Sequence, residues 1–153
     1  MGCKTVLNDT WTWDGVSWKL ETPPTSPSPR SQASMAYDPV LAKVILFGGA
    51  FFGDMYAWDG QTWAELHPQT LPAARYGAGM AYSVRDPGLV LFGGIGLTGY
   101  LPETWIWNGI TWTQVKPAVG PSVVSPLAGM AYDAALDSTV LIVAGEVWTW
   151  GGQ

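Results

Sequence analysis

Charge is scarce in this chain of 153 residues: Lys, Arg, Asp and Glu make only 12% of it, about half the usual share in a globular protein. Basic residues are the scarcer kind, 7 against 12 acidic ones, so the formal net charge is -5 and no Lys/Arg cluster offsets it. Such a surface repels a phosphate backbone, which excludes nucleic acid as a partner. A single cysteine, Cys3, excludes an intrachain disulfide and a Cys-rich zinc site, and leaves the redox compartment open. A single histidine, His67, sits beside Pro68, so any His-based metal cluster or Ser-His-Asp triad would have to use it; it reads as a solvated loop residue. No apolar run approaches the roughly 18 residues of a membrane span, and "MGCKTVLNDT" lacks the apolar stretch of a secretory signal. The opening is near a myristoylation signal, but Val6 stands where Ser or Thr is needed. No Gly-rich loop leads into a helix that could receive a phosphate. No cofactor, no metal and no membrane partner is therefore expected.

What the chain has instead is tryptophan, ten residues of it, within a 48% hydrophobic composition sufficient for one compact core. The tryptophans are periodic. "WTWDGVSW" at 11–18, "YAWDGQTW" at 56–63 and "WIWNGITW" at 105–112 align without gaps, and between them runs a second phrase: "SMAYDPVLAKVILFGG" from 34, "GMAYSVRDPGLVLFGG" from 79 and "GMAYDAALDSTVLIVAG" from 129. The repeats span about 8–53, 54–102 and 103–146, with an incomplete fourth copy at 147–153.

Each half of the repeat alternates apolar and aromatic residues around Gly, Asp, Asn and Pro, and no segment keeps a helical period, so the chain is predicted to be all-β. Asp14-Gly15, Asp59-Gly60 and Asn108-Gly109 supply the positive φ that a hairpin turn needs, and Gly151-Gly152 holds the same place in the fourth copy. The Pro-rich stretches 21–30, 67–75 and 115–126 return with the period and are read as connections between strands, because Pro cannot donate to a ladder.

A four-strand module with a Gly pair after the second strand (Gly48-Gly49, Gly93-Gly94), a Tyr on the first (Tyr37, Tyr82, Tyr132) and a Trp on the fourth (Trp18, Trp63, Trp112) resembles the kelch repeat of β-propellers, and in particular bacterial kelch sequences. The third copy departs from the pattern: Ser125 replaces the Arg of Arg30 and Arg75, and Ala144-Gly145 replaces the Gly pair. The resemblance implies strands A to D running outward from an axis, with A near 32–37, B near 43–47, C near 54–58 and D near 62–66. Along the chain the order becomes C and D, two full sets, then A, B and C: three four-stranded repeats plus an extra terminal strand. Kelch propellers generally have six or seven blades, so three imply completion of the ring by oligomerisation. A homodimer of six blades is expected, with Trp11, Trp13, Trp148 and Trp150 at the junction, and with strand 146–150 competing with residues 9–13 for one position. A seventh blade, or a fragment of a longer chain, are the other readings. The resemblance also implies export, although the chain shows no signal.

Most tryptophans are expected to pack between blades rather than stack on sugars. Phe51, Phe52 and Tyr100 lie in connections after strand B, where the repeat demands no core role, and are candidates for ligand contact. Arg30 and Arg75 precede strand A; they would hold an acidic ligand or, alternatively, pair with the acids that open strand C, namely Asp9, Asp54, Glu103 and Glu146. Copper-oxidase chemistry known on kelch folds needs more His and Cys ligands than one chain supplies. The expected function is a non-enzymatic scaffold binding protein or glycan, with a glycan-active or accessory enzyme domain and a ligand-free assembly module as alternatives.

Overall fold

The computed structural model describes residues 5–121 and 127–151. Cys3, Ser125 and Gly152 lie outside the described residues. The described chain is all-β: 15 strands, every pair antiparallel, and no helix.

The strands form sheets of two, four, four and three, plus one small hairpin. β1 (Thr10–Trp13) pairs with β2 (Trp18–Glu21). The next sheet is β3 (Ser34–Asp38), β4 (Lys43–Phe47), β5 (Met55–Trp58) and β6 (Trp63–Leu66), paired in that order. β7 (Gly79–Ser83) and β8 (Gly88–Phe92) lead to the hairpin β9 (Ile95–Gly96) and β10 (Gly99–Tyr100); β11 (Thr104–Trp107) then returns to pair with β8, and β12 (Trp112–Val115) follows outside it. β13 (Gly129–Asp133), β14 (Ser138–Val143) and β15 (Glu146–Trp150) make the last sheet. The sheets are thus out of phase with the sequence repeats, each repeat contributing to two of them, as the order C, D, then A, B anticipates.

Turn chemistry sets these registers. Asp14 Oδ1 accepts the amides of Val16 and Ser17, Asp59 Oδ1 those of Gln61 and Thr62, and Asn108 Oδ1 those of Ile110 and Thr111, all at 2.8 to 3.0 Å. These bonds hold the Asp14 and Asp59 carboxyls below their ordinary range. The flanking tryptophans become register partners, Trp13 with Trp18, Trp58 with Trp63, Trp107 with Trp112. Asp38 and Asp133 close the inner hairpins in the same way.

The inner strands β3, β7 and β13 lie side by side, stitched by Ser34 Oγ donating to the Ala78 carbonyl (2.7 Å) and by the amides of Gly77 and Ala128. Between the two four-stranded sheets lies the main core, where Ile45, Phe47, Met55 and Ala57 meet Met80, Leu89, Leu91, Trp107 and Trp112. A smaller core of Phe92, Leu141 and Val143 joins the second of them to the last sheet.

Candidate functional site

Two arginines expected near a ligand are both turned inward. Arg75 Nε donates to the Ala73 carbonyl (2.9 Å), Nη1 to the Gly93 carbonyl (3.0 Å) and Nη2 to Glu103 Oε2 (2.6 Å). Arg30 repeats this contact by contact, to the Ser28 carbonyl (3.0 Å), the Gly48 carbonyl (3.0 Å) and Asp54 Oδ2 (2.8 Å). Each guanidinium therefore clasps three segments: the approach to the inner strand, the first glycine of the pair, and the acid that opens the third strand. Arg75 is 1% exposed and is engaged with these three partners, the pairing with a strand-opening acid that was the alternative to a ligand contact. Burial pulls its pKa down, opposed by Glu103; Glu103 is pushed up by its own burial, but the bonds from Arg75 and Trp105 outweigh that and hold it below the ordinary range.

The acids carry a second repeated contact. Trp11 Nε1 donates to Asp9 (2.7 Å), Trp105 Nε1 to Glu103 (2.9 Å) and Trp148 Nε1 to Glu146 (2.9 Å). Tyr56 takes the corresponding place beside Asp54, its hydroxyl pushed up first by burial and then by that carboxylate. Among the described residues neither Asp9 nor Glu146 is paired with a cation, so the clasp is absent from both end sheets.

The aromatic candidates form a rim. Phe52 lies beneath Arg30, whose guanidinium carbon is 4.4 Å from the ring centre. Phe51, held at a φ of 68°, is exposed and stands edge-on to Tyr76 at 4.9 Å. Tyr76 bridges to Ile95, which is the register partner of Tyr100, so the β9–β10 hairpin brings exposed Tyr100 to the same side as Phe51. Tyr76 was not singled out from sequence. The available signal was that it follows Arg75 where Ser31 follows Arg30. His67 is exposed in its loop, 4.0 Å from Glu65, and among the described residues no group of three His, Cys, Asp or Glu is placed to hold a metal.

The tryptophans divide by position. Trp58, Trp63, Trp107 and Trp112 are buried between sheets. Their counterparts at the amino-terminal end, Trp13 and Trp18, are 52% and 65% exposed, and neighbouring Trp11 is 49% exposed. Trp148 and Trp150 are half-buried against the preceding sheet, Trp150 Nε1 reaching Asp86 at 2.8 Å.

No family model and no curated protein matches the chain in sequence. Its fold is similar to that of a solved structure titled "Structure of YjhT", with a TM-score of 0.62 at 15% identity, over 94% of this chain and 47% of that one. The chain spans about half the length of that structure.

Proposed function

We propose that this chain is a non-enzymatic binding scaffold, part of a kelch-type propeller whose copies associate in pairs to complete a six-bladed ring. The observation that carries the reading is the open indole pair Trp13 and Trp18 on β1 and β2, at positions buried in both four-stranded sheets as Trp58 with Trp63 and Trp107 with Trp112. Covering two indoles that are each more than half open removes roughly 250 Å² of apolar surface, on the order of 6 kcal/mol before ordering costs. An open propeller end also leaves strand edges unpaired, and a two-fold arrangement covers both ends at once. The similarity of this chain to about half of a longer β-structure agrees with two copies making one ring. Sedimentation decides it: the expected species has twice the 16.4 kDa mass of the chain. A monodisperse monomer at all concentrations would reject the pairing.

The face that such a ring offers to a protein or glycan is the rim where exposed Phe51 and Tyr100 stand around half-buried Tyr76, on strained or short-stranded connections rather than in the core. Binding on a glycan array or in a pull-down should be lost in Phe51→Ser and Tyr100→Ser, whereas Arg30 and Arg75 act on stability. A ligand that still binds the double variant would place the site elsewhere.

A further inference from the structure

Two intact junctions show how successive sheets lock together. Trp112 on β12 lies 6.0 Å from Phe47 on β4 and donates Nε1 to Met55 Sδ at the head of β5 (3.4 Å). Trp63 on β6 does the same one sheet earlier, donating to Thr10 Oγ1 at the head of β1 (2.9 Å). In both junctions the tryptophan of the outermost strand thus bonds the first residue of the strand next to the outermost in the preceding sheet. Trp18 on β2 holds this outer position, 65% exposed, and no preceding sheet among the described residues receives it. At the other end, Phe92 and Thr104 occupy the places of Phe47 and Met55, and they line a cavity with Thr139, Leu141 and Trp148. One end has an indole without a seat, the other a seat without an indole.

The inner strands repeat the mismatch. A Cβ on Gly79 of β7 would lie 3.1 Å from that of Met130 on β13, so the methionine of one inner strand packs on the glycine of the previous one. Gly129, in the same place on β13, meets nothing within 4 Å among the described residues, while Met35, the counterpart of Met130 on β3, is 59% exposed.

The strand that now closes the last sheet is nearly a copy of the first. β15 carries Trp148-Thr149-Trp150 where β1 carries Trp11-Thr12-Trp13, and each is preceded by an acid that accepts its first indole N–H. β15 pairs on β14 with Thr149 opposite Val140 and Trp148 opposite Leu141. β1 fits that register residue for residue, and it brings β2 and Trp18 with it.

Resting on the pairing reading above, the geometry points to strand exchange: the β1–β2 hairpin of a second copy displaces β15 from β14 and seats its Trp18 between Phe92 and Thr104. β15 is then a resident substitute that covers the β14 edge while a chain is alone. Exchange replaces one ladder by an equivalent one, so the ladders nearly cancel and the newly covered indoles and Met35 set its direction.

Cysteine pairs in a Cys3→Ser background of the full chain separate the outcomes. Residues directly opposite in an antiparallel ladder lie about 4.5 to 5.5 Å apart at Cα, within disulfide reach. Thr12→Cys with Val140→Cys is expected to give a covalent dimer on oxidation, and Thr149→Cys with Val140→Cys to close within one chain only at dilution. If sedimentation shows a dimer while the second pair closes at every concentration and the first never links, exchange is wrong and pairing stands. A monomer throughout overturns both. Trp18→Ala checks the seat independently, with dimer affinity expected to fall at least about tenfold, a difference of 1.4 kcal/mol, and the melting of the monomer unchanged; unaltered affinity would remove Trp18 from the junction.

Discussion

Arg75 holds three acceptors that belong to three different segments, and at the scale of single residues it is the most exacting feature of the molecule. Its removal takes a donor from two carbonyls and leaves the partly buried Glu103 carboxylate with the Trp105 indole and no cation. Arg75→Ala should therefore lower unfolding stability by on the order of 3 kcal/mol in urea titrations, and Arg75→Lys should recover only part, because an ammonium cannot span the same three directions. A loss below about 0.5 kcal/mol, the range of an ordinary surface change, would show that the clasp is not structural. The pH dependence follows from Glu103. Its folded pKa lies below the ordinary value of 4.5, so its contribution is complete above that value and is lost as pH falls through the folded pKa. In Glu103→Gln the acid limb of the stability curve should be shallower below about pH 4.5 and the neutral plateau lower. An acid limb identical to that of the unmodified chain would mean that other carboxylates control acid unfolding.

At the scale of the element, the glycine pairs show why the third copy departs from the pattern. A Cβ on Gly49 would come within 2.8 Å of the Ser31 carbonyl and Ala33 amide, and one on Gly94 within 2.9 Å of the Tyr76 carbonyl, because the approach to the inner strand of the same sheet crosses closely there. At Gly145 a Cβ would meet nothing within 4 Å among the described residues, and Ala144 already stands where the other copies have the first glycine. Gly94→Ala should then cost about 3 kcal/mol or more, and Gly145→Ala only the roughly 1 kcal/mol of a positive φ; equal melting temperatures for the two would refute the close-approach account. The same comparison shows what was legible in sequence. The positions that the family resemblance implies for one set of strands, 32–37, 43–47, 54–58 and 62–66, lie within two residues of β3 to β6, and the terminal strand read at 146–150 is β15; a period of two with a defined turn leaves little freedom of register. The β9–β10 hairpin escaped because "IGLTGY" gives two strands of two residues each, too short for any period. The arginines were legible as possible partners of the strand-opening acids, as Asp54 and Glu103 are, but not as donors to Gly48 and Gly93, because a backbone carbonyl leaves no mark in composition.

For the whole molecule, the balance of forces in the proposed pair makes a prediction opposite in sign to that of an ion-paired interface. Each copy carries a net charge of -5, so two copies repel one another, while the surfaces that would meet are indoles, Met35 and Ile142 rather than opposed charges. Salt screens the repulsion, the Debye length falling from about 30 Å at 0.01 M to about 3 Å at 1 M, and it leaves apolar burial intact. Association should therefore tighten as salt is raised, and the melting temperature should rise with protein concentration because only the folded chain is drawn into the pair. Tryptophan emission gives a third view of one equilibrium, moving to shorter wavelength with concentration as Trp11, Trp13 and Trp18 leave water. If dissociation by sedimentation instead becomes about tenfold easier across that salt range, charged contacts hold the copies together and the open indoles are not the joining surface.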